Sequence, residues 1–563
     1  MVRRALQYII LTSMFMLVAS GAAIAAPTVP GAADAARVEP IVLPSIPTET
    51  TPAVMPETPA APALVTPEGA QQVSFILHGF DIAGATAFTP EELAAPYADR
   101  IGQSVTLAEI YAMADALGAR YREAGFFLSR VMVPDQHIDN GIVHITIIEG
   151  YIDQVLLNEP EADNHVVRGY INRIREEKPL RASTLEHALL SLSDLPGQRF
   201  RAVLSAMPEG TAGASMLTLI PIDAEKVSGS VGIDNYGSKF LGPQQVSANI
   251  SASLLPLQQT SIYGLTSMPT KELGYGMVNH SIVVAPDVTV AAQAGLTKAR
   301  PGYTLKPLDI DSTSTALNLS IKYQWVRQRD QNLSTALSLE GRNISSDLSG
   351  ATLTREHVRV TRLTAAYDIR DAWKGSNGAN MTLSQGINGL GSSKKGDLNL
   401  SRGQAEPDFF KAELALSRLQ EITPTWSALV QVSGQISSGP LYSSEEFGYG
   451  GQSFGRAYDT SEIVGDEGVA GSLELRYGGW RDLQPINLEP YAFYDIGVVT
   501  NEDIGQSARD SASSAGVGVR FATVYGQSGN IGIAMPLTRD TLAPIYGGNP
   551  SSPRLMLQIR HVF

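Results

Sequence analysis

From Lys226 to Phe563 the chain is written in a period of two, and no other feature narrows its possible folds as far. Segments of about 8–12 residues alternate apolar and polar, separated by clusters of Gly, Pro, Asp and Asn. Between Asn487 and Val499, Leu488, Ala492, Tyr494, Ile496 and Val498 share one face, while Asn487, Glu489, Tyr491, Phe493, Asp495 and Gly497 share the other. Leu317, Leu319, Ile321, Tyr323 and Trp325 alternate with Asn318, Ser320, Lys322 and Gln324, and Trp426, Ala428, Val430 and Val432 with Ser427, Leu429, Gln431 and Ser433. A soluble sandwich with one wet face has the same period. Here, however, the polar face is Ser, Gly, Gln and Asn rather than Lys and Glu. The chain also ends on an aromatic, His561-Val562-Phe563, with Phe563 as the terminal signal of a membrane barrel. Allowing roughly 21 residues per strand and turn gives about 16 antiparallel strands, and a closed barrel of that size encloses an aqueous lumen.

Composition agrees. Charged residues make up 17% of the 563 residues, against roughly 25% in an average soluble domain. With 42 Lys and Arg against 56 Asp and Glu, the net charge of −14 argues against a nucleic-acid partner. The absence of cysteine removes disulfides, thiolate metal sites and Cys nucleophiles.

Four further segments precede the barrel. Residues 1–25 carry Arg3 and Arg4, an apolar stretch from Ala5 to Ser20, and Ala23-Ile24-Ala25, which is the pattern of a secretory signal peptide. Residues 26–70 are Pro- and Ala-rich and read as an extended linker, with a short helix conceivable at 31–39. Residues 71–150 read as a small α/β module. It has a strand at Val73–Leu77, turn residues Gly79 and Gly84, a helix start at Pro90, an amphipathic helix over Thr106–Ala124, and strands at Leu128–Val133 and Ile142–Ile148. Residues 151–225 repeat that β-α-α-β-β order, with strands at Ile152–Leu157, Phe200–Met207 and Ser215–Pro221 and helices at Val166–Ile174 and Thr184–Leu192. Each module leaves a sheet edge with unpaired backbone groups, able to take an extended peptide as an added strand.

One stretch of the barrel breaks the alternation: Phe447-Gly448-Tyr449-Gly450-Gly451-Gln452-Ser453-Phe454-Gly455-Arg456-Ala457-Tyr458-Asp459, read as a loop for its glycines. Gly451–Gly455 fits the G-x-S-x-G nucleophile pattern, but no helix follows it and His561 is the only later histidine, so no catalytic residue is assigned there. No metal or other cofactor is expected, because neither H-E-x-x-H nor a phosphate-binding G-K-[ST] occurs. Read from the residues alone, Arg456 is either a solvated loop arginine or a lumen arginine. In the second case it needs a carboxylate, since an unpaired desolvated charge is costly. The inward faces offer Asp495 and Glu474, and a planar guanidinium can take a carboxylate in two parallel hydrogen bonds.

At these residues the chain resembles the two-partner secretion transporters of the ShlB/FhaC/HecB, or hemolysin secretion/activation, family of the POTRA-plus-barrel superfamily. Gly455-Arg456-Ala457-Tyr458 is similar to the family's Val-Arg-Gly-Tyr/Phe loop motif at the arginine and the aromatic, with Ala457 in place of the usual glycine. Phe493-Tyr494-Asp495-Ile496-Gly497 matches its F-x-D-x-G strand motif at Phe493, Asp495 and Gly497. The blocks Gly465–Tyr477 and Ser514–Phe521 also look like family blocks. The resemblance implies a non-enzymatic translocator in the bacterial outer membrane with POTRA-like modules in the periplasm, a functional lumen loop, and a dedicated exoprotein partner carrying an N-terminal secretion domain. Outer-membrane lipid and the barrel-assembly machinery that inserts the protein complete the implied partners. The Pro-rich 26–70 segment shows no clear plug helix of the kind some members hold in the barrel, so an unplugged lumen is expected. The rival readings are a barrel-assembly factor of the same superfamily and a passive porin-like channel. The second leaves the modules and the Arg456 loop without a role.

Overall fold

The computed structural model describes residues 29–38, 64–159, 163–207, 211–481, 484–503, 506–543, 545 and 549–563. The segment read as a signal peptide, and most of the Pro-rich stretch, lie outside these residues. Among the described residues no helix is long and apolar enough to cross a membrane. The crossing is made by strands.

Sixteen antiparallel strands close into one barrel, from Val227–Asp234 to Arg554–Val562. Side chains obey the alternation read from the sequence: Leu473, Leu475, Tyr494 and Ile496 point out into the surroundings, and Glu474, Phe493 and Asp495 are buried inside. The last strand closes on the first. Phe563 N–H donates to the Gly229 carbonyl at 3.0 Å, and Gly229 N–H donates back to the Phe563 carbonyl at 2.8 Å. The Phe563 ring rests on Gly229, where a β-carbon would approach it to 2.7 Å.

The two ends of the barrel differ. Short turns, such as Pro286-Asp287, lie at the end where the modules join, and long loops at the other, including 387–409 and 438–466. Short turns on the periplasmic side and long loops outside are the pattern of outer-membrane barrels. All four tryptophans of the sequence, Trp325, Trp373, Trp426 and Trp480, sit at the turn end with exposed rings. Tyr323 and Tyr477 pack against them at 4.6 Å and 5.0–5.6 Å between ring centroids.

In the first module the helices are α1 (Pro90–Ala94) and α2 (Leu107–Glu123). Thr106 and Glu109 form a capping box that starts α2, each side chain accepting the other's backbone N–H. Ile110, Met113, Leu117 and Tyr121 face Val143, Ile145 and Ile147 of the sheet. The sheet's first strand is Gly79–Ala83, parallel to Ile142–Ile148, not the stretch Val73–Leu77. Ser74–Ile76 pairs instead with Ser104–Thr106 in a separate two-stranded sheet. Gly79 begins a strand rather than a turn because Phe80 and Ile82 supply the alternate apolar positions that pack on the core.

The second module has α3 (His165–Glu176) and α4 (Ala182–Ser193) over a sheet in the order Tyr151–Leu157, Ala214–Ile222, Arg199–Ala206. Its core is continuous with the barrel's turn end, since Leu257 is buried among Val166, Tyr170, Leu189 and their neighbours.

Residues 29–38 do not behave as an extended linker. They make two short 3₁₀ turns, Gly31–Ala33 and Ala35–Arg37, held against barrel strands and the 438–466 loop. Ser238 Oγ donates to the Ala32 carbonyl at 2.6 Å, and Arg342 Nη1 to the Ala36 carbonyl at 2.8 Å. The expected unplugged lumen is therefore corrected: this stretch occupies it. Gly31, Ala32, Ala33, Ala35 and Ala36 let the backbone come close enough for wall side chains to bind its carbonyls.

Candidate functional site: the lumen loop and its carboxylate seat

The loop 438–466 leaves the strand Trp426–Ser437 and folds back into the lumen before the strand Glu467–Tyr477 begins. Its stem is a small hairpin, Phe447–Tyr449 paired with Ile463–Gly465, so part of the glycine-rich stretch is strand after all. Gly455 is left-handed (φ +72°), and a β-carbon there would meet the Tyr449 ring at 2.7 Å. Glycine is required on both counts. Ala457 is absent from the left-handed residues, so the methyl group at this position imposes no backbone strain.

Arg456 is 9% exposed, which selects the lumen over the solvated alternative. Its Nε and Nη2 donate to the two oxygens of Asp495 at 3.0 and 2.9 Å, a bidentate fork. Nη1 donates to Glu474 at 2.5 Å and Nη2 also to Ser472 Oγ at 2.9 Å. The guanidinium carbon lies 3.5 Å from the centroid of Phe493. Asp495 reaches beyond the side chain, because the backbone N–H groups of Gly455 and Arg456 both donate to it at 3.1 Å. Tyr458 Oη donates to the Ser513 carbonyl at 2.9 Å.

Each position of the Phe493-x-Asp495-x-Gly497 segment has a separate job. Phe493 lies under the guanidinium, Asp495 takes the fork, and Gly497 leaves room for Tyr449, whose ring would sit 2.1 Å from a β-carbon at 497. Glu474 is shared, receiving Arg476 Nε and Arg520 Nη2, each at 2.8 Å.

Sequence reasoning missed the loop's other anchors. Glu445 is buried and holds Arg362 at 2.8 Å and Lys411 at 3.0 Å, on strands far from the Arg456 seat. Arg554 Nη1 donates to the Tyr458 carbonyl at 2.6 Å and to Asp459 at 3.1 Å. Asp466 is bound by Arg402 of another loop. Arg37 reaches the carbonyls of Ser443 and Glu446, tying the 29–38 segment to the same loop. The available signal was charge at inward-facing strand positions, such as Arg362 and Lys411.

A passive pore has no use for a two-module periplasmic arm or for a loop clamped across its own lumen. The combination defines a POTRA-bearing outer-membrane transporter. Two family models match the chain: the POTRA domain of ShlB type over residues 75–150, and the haemolysin secretion/activation protein ShlB/FhaC/HecB over residues 289–521. The heme/hemopexin transporter protein HuxB of Haemophilus influenzae is 22% identical over 463 residues, covering 79% of this chain and 80% of its own. The outer membrane transporter CdiB of Escherichia coli O6:K15:H31 is 23% identical over 438 residues, covering 73% and 71%. The solved CdiB structure from Escherichia coli superposes with a TM-score of 0.73 at 19% identity, covering 91% of this chain and 94% of that one. CdiB from Acinetobacter baumannii gives 0.63 at 12% identity, covering 92% and 95%. The chain belongs to the ShlB/FhaC/HecB family of haemolysin secretion/activation proteins. It is an outer-membrane protein whose two small modules lie in the periplasm.

Proposed function

We infer that this protein is the outer-membrane translocator of a two-partner secretion pair, recognising one dedicated exoprotein in the periplasm and passing it to the cell surface. The observation that carries this reading is a loop fixed inside the lumen by Arg456 on Asp495 and Glu474, in a barrel preceded by two modules with open sheet edges. The exoprotein's N-terminal secretion domain, still unfolded, adds as a strand to a module edge. The chain then enters the lumen, where the 438–466 loop and residues 29–38 stand in its way. Both are held by hydrogen bonds and ion pairs rather than by a continuous sheet, so they can leave as units. Folding of the cargo outside supplies the directional drive. No covalent step is part of this mechanism. Gly455, Arg456 and Tyr458 set the loop, Phe493, Asp495, Glu474 and Gly497 form its seat, and Phe563 closes the barrel for insertion by the assembly machinery.

The test is co-expression with the cognate exoprotein and assay of that protein in the medium, with and without residues 71–225. Secretion that requires both barrel and modules is expected. A correctly inserted barrel that secretes nothing, but restores insertion of other outer-membrane proteins, would replace this reading with an assembly factor.

A further inference from the structure

The second module is docked onto the barrel by a specific joint. Three periplasmic turns take part. Leu257 of the first enters the module's core. Asp287 of the second is the centre: its side chain is only 2% exposed although it sits on a turn between strands. Turns of this kind favour Asn, Asp or Gly because one residue is left-handed, and Asp287 has φ +64°. A turn aspartate ordinarily faces water, whereas this one points into the module. Tyr170 Oη and Arg173 Nη1 of α3 donate to it at 2.9 and 2.7 Å, and His187 Nε2 of α4 lies 2.7 Å away. The Asp287 N–H donates back to Tyr170 Oη at 2.8 Å. The third turn follows Arg327, whose N–H donates to His187 Nδ1 at 3.2 Å and whose side chain forks onto Asp194 at 2.6 and 3.1 Å. His187 thus touches Asp287 through Nε2 and the Arg327 backbone through Nδ1, and it joins two barrel turns through one helix.

A carboxylate saturated by donors from two helices permits one orientation of the module, where a flexible linker would permit many. That orientation matters if the module's sheet hands a chain to the pore, for its edge strands Tyr151–Leu157 and Arg199–Ala206 expose Leu156 and Val203. We infer that Asp287 is a positioning residue for secretion, fixing through Tyr170, Arg173 and His187 the angle at which the second module presents its sheet beneath the lumen. This rests on the secretion reading above, and the experiment separates the two.

The chain has no cysteine, so a Gly197→Cys, Ser253→Cys pair supplies its only thiols; because Gly197 is left-handed (φ +68°), every rate is read against the same cysteine pair with Asp287 intact, which must itself insert and secrete. A β-carbon at Gly197 lies 3.4 Å from Ser253 Cβ, next to the roughly 3.5–4.5 Å span of a disulfide. The full chain is tested in the outer membrane beside its exoprotein. Asp287→Ala is expected to leave a heat-modifiable barrel, to slow oxidative cross-linking, and to cut secretion roughly tenfold or more, because Tyr170, Arg173 and His187 lose their shared acceptor. Once the 197–253 disulfide has formed in the Asp287→Ala background, secretion returns, and dithiothreitol abolishes it again. A role confined to module stability would not give that redox-dependent rescue. Wild-type secretion by Asp287→Ala despite slowed cross-linking overturns the proposal, as does a formed disulfide that restores nothing. Should Asp287→Ala fail to insert, the helix-side pair Tyr170→Phe, Arg173→Met leaves the turn intact and must show the same loss and rescue; secretion at the wild-type rate from it is equally fatal. If the unmutated protein exports nothing, the secretion reading itself fails, while the cross-linking rates still report the joint.

Discussion

Arg456 uses four guanidinium N–H groups, two on Asp495, one on Glu474 and one on Ser472. Lysine has three donors on one nitrogen and no planar fork, so Arg456→Lys cannot reproduce this set. Removing one partner of a buried pair costs about 3–5 kcal/mol because the other charge is left desolvated. Here that charge is Asp495, which is fully buried. Arg456→Ala and Arg456→Lys are therefore both expected to leave an inserted barrel that secretes poorly, as measured by exoprotein in the medium and by heat-modifiability on a gel. Glu474 keeps Arg476 and Arg520 when Arg456 is gone, so Asp495 is the residue left without a counter-charge, held only by the backbone N–H groups at 455 and 456. A subtler probe is Gly497→Ala. Its methyl group meets the Tyr449 ring, an overpacking worth about 1–3 kcal/mol. The hairpin should lift from the wall, and a cysteine placed at Ser453 should become more reactive from outside the cell.

Among the elements, the 29–38 segment and the 438–466 loop form one obstruction. Arg37 binds loop carbonyls, Ser443 Oγ donates to Asp34 at 2.9 Å, and Arg342 binds Ala36 from the wall. Deleting residues 29–38 is expected to raise single-channel conductance in planar bilayers and to leave barrel insertion unchanged; unaltered conductance would show that the loop alone sets the pore. The barrel strands were legible because a period of two is a property of each segment by itself: Leu473, Glu474 and Leu475 reveal their faces without reference to any neighbour. The Arg456 seat was legible for the same reason, since Asp495 and Glu474 point inward by parity. A short helix at 31–39 could be read from the sequence, but its seat inside the lumen could not, because ten residues carry no period and their partners lie hundreds of residues away at Arg342 and Ser443. The exchange of Val73–Leu77 for Gly79–Ala83 has a similar cause. Both stretches alternate, and the choice between them is made by Ile142–Ile148, which lies far along the chain. The Glu445 clasp on Arg362 and Lys411 likewise joins residues that share no local pattern.

Taken whole, the molecule is an arm fixed to a pore. Burial alone would raise the Asp287 carboxyl, but His187, Arg173 and Tyr170 hold it below the ordinary aspartate value of 3.8. A carboxylate lowered by folding stabilises above its unfolded value and loses that contribution as pH falls through the folded one. Cross-linking between positions 197 and 253 should therefore be insensitive to mild acid in its dependence on Asp287, with the Asp287 contribution fading only below about pH 4. Closure is a second whole-molecule property. Removing Phe563 takes away both main-chain bonds to Gly229 and the ring above it, so the truncated chain should accumulate in the periplasm, outside the membrane fraction. The placement of the tryptophans has a spectroscopic consequence. With every indole at the turn end, the protein's intrinsic emission samples one leaflet. Brominated phospholipid confined to the periplasmic leaflet should quench nearly all of it, and the same label outside should quench almost none. The fluorescence of the unlabelled protein thus reports which way up the barrel has been inserted.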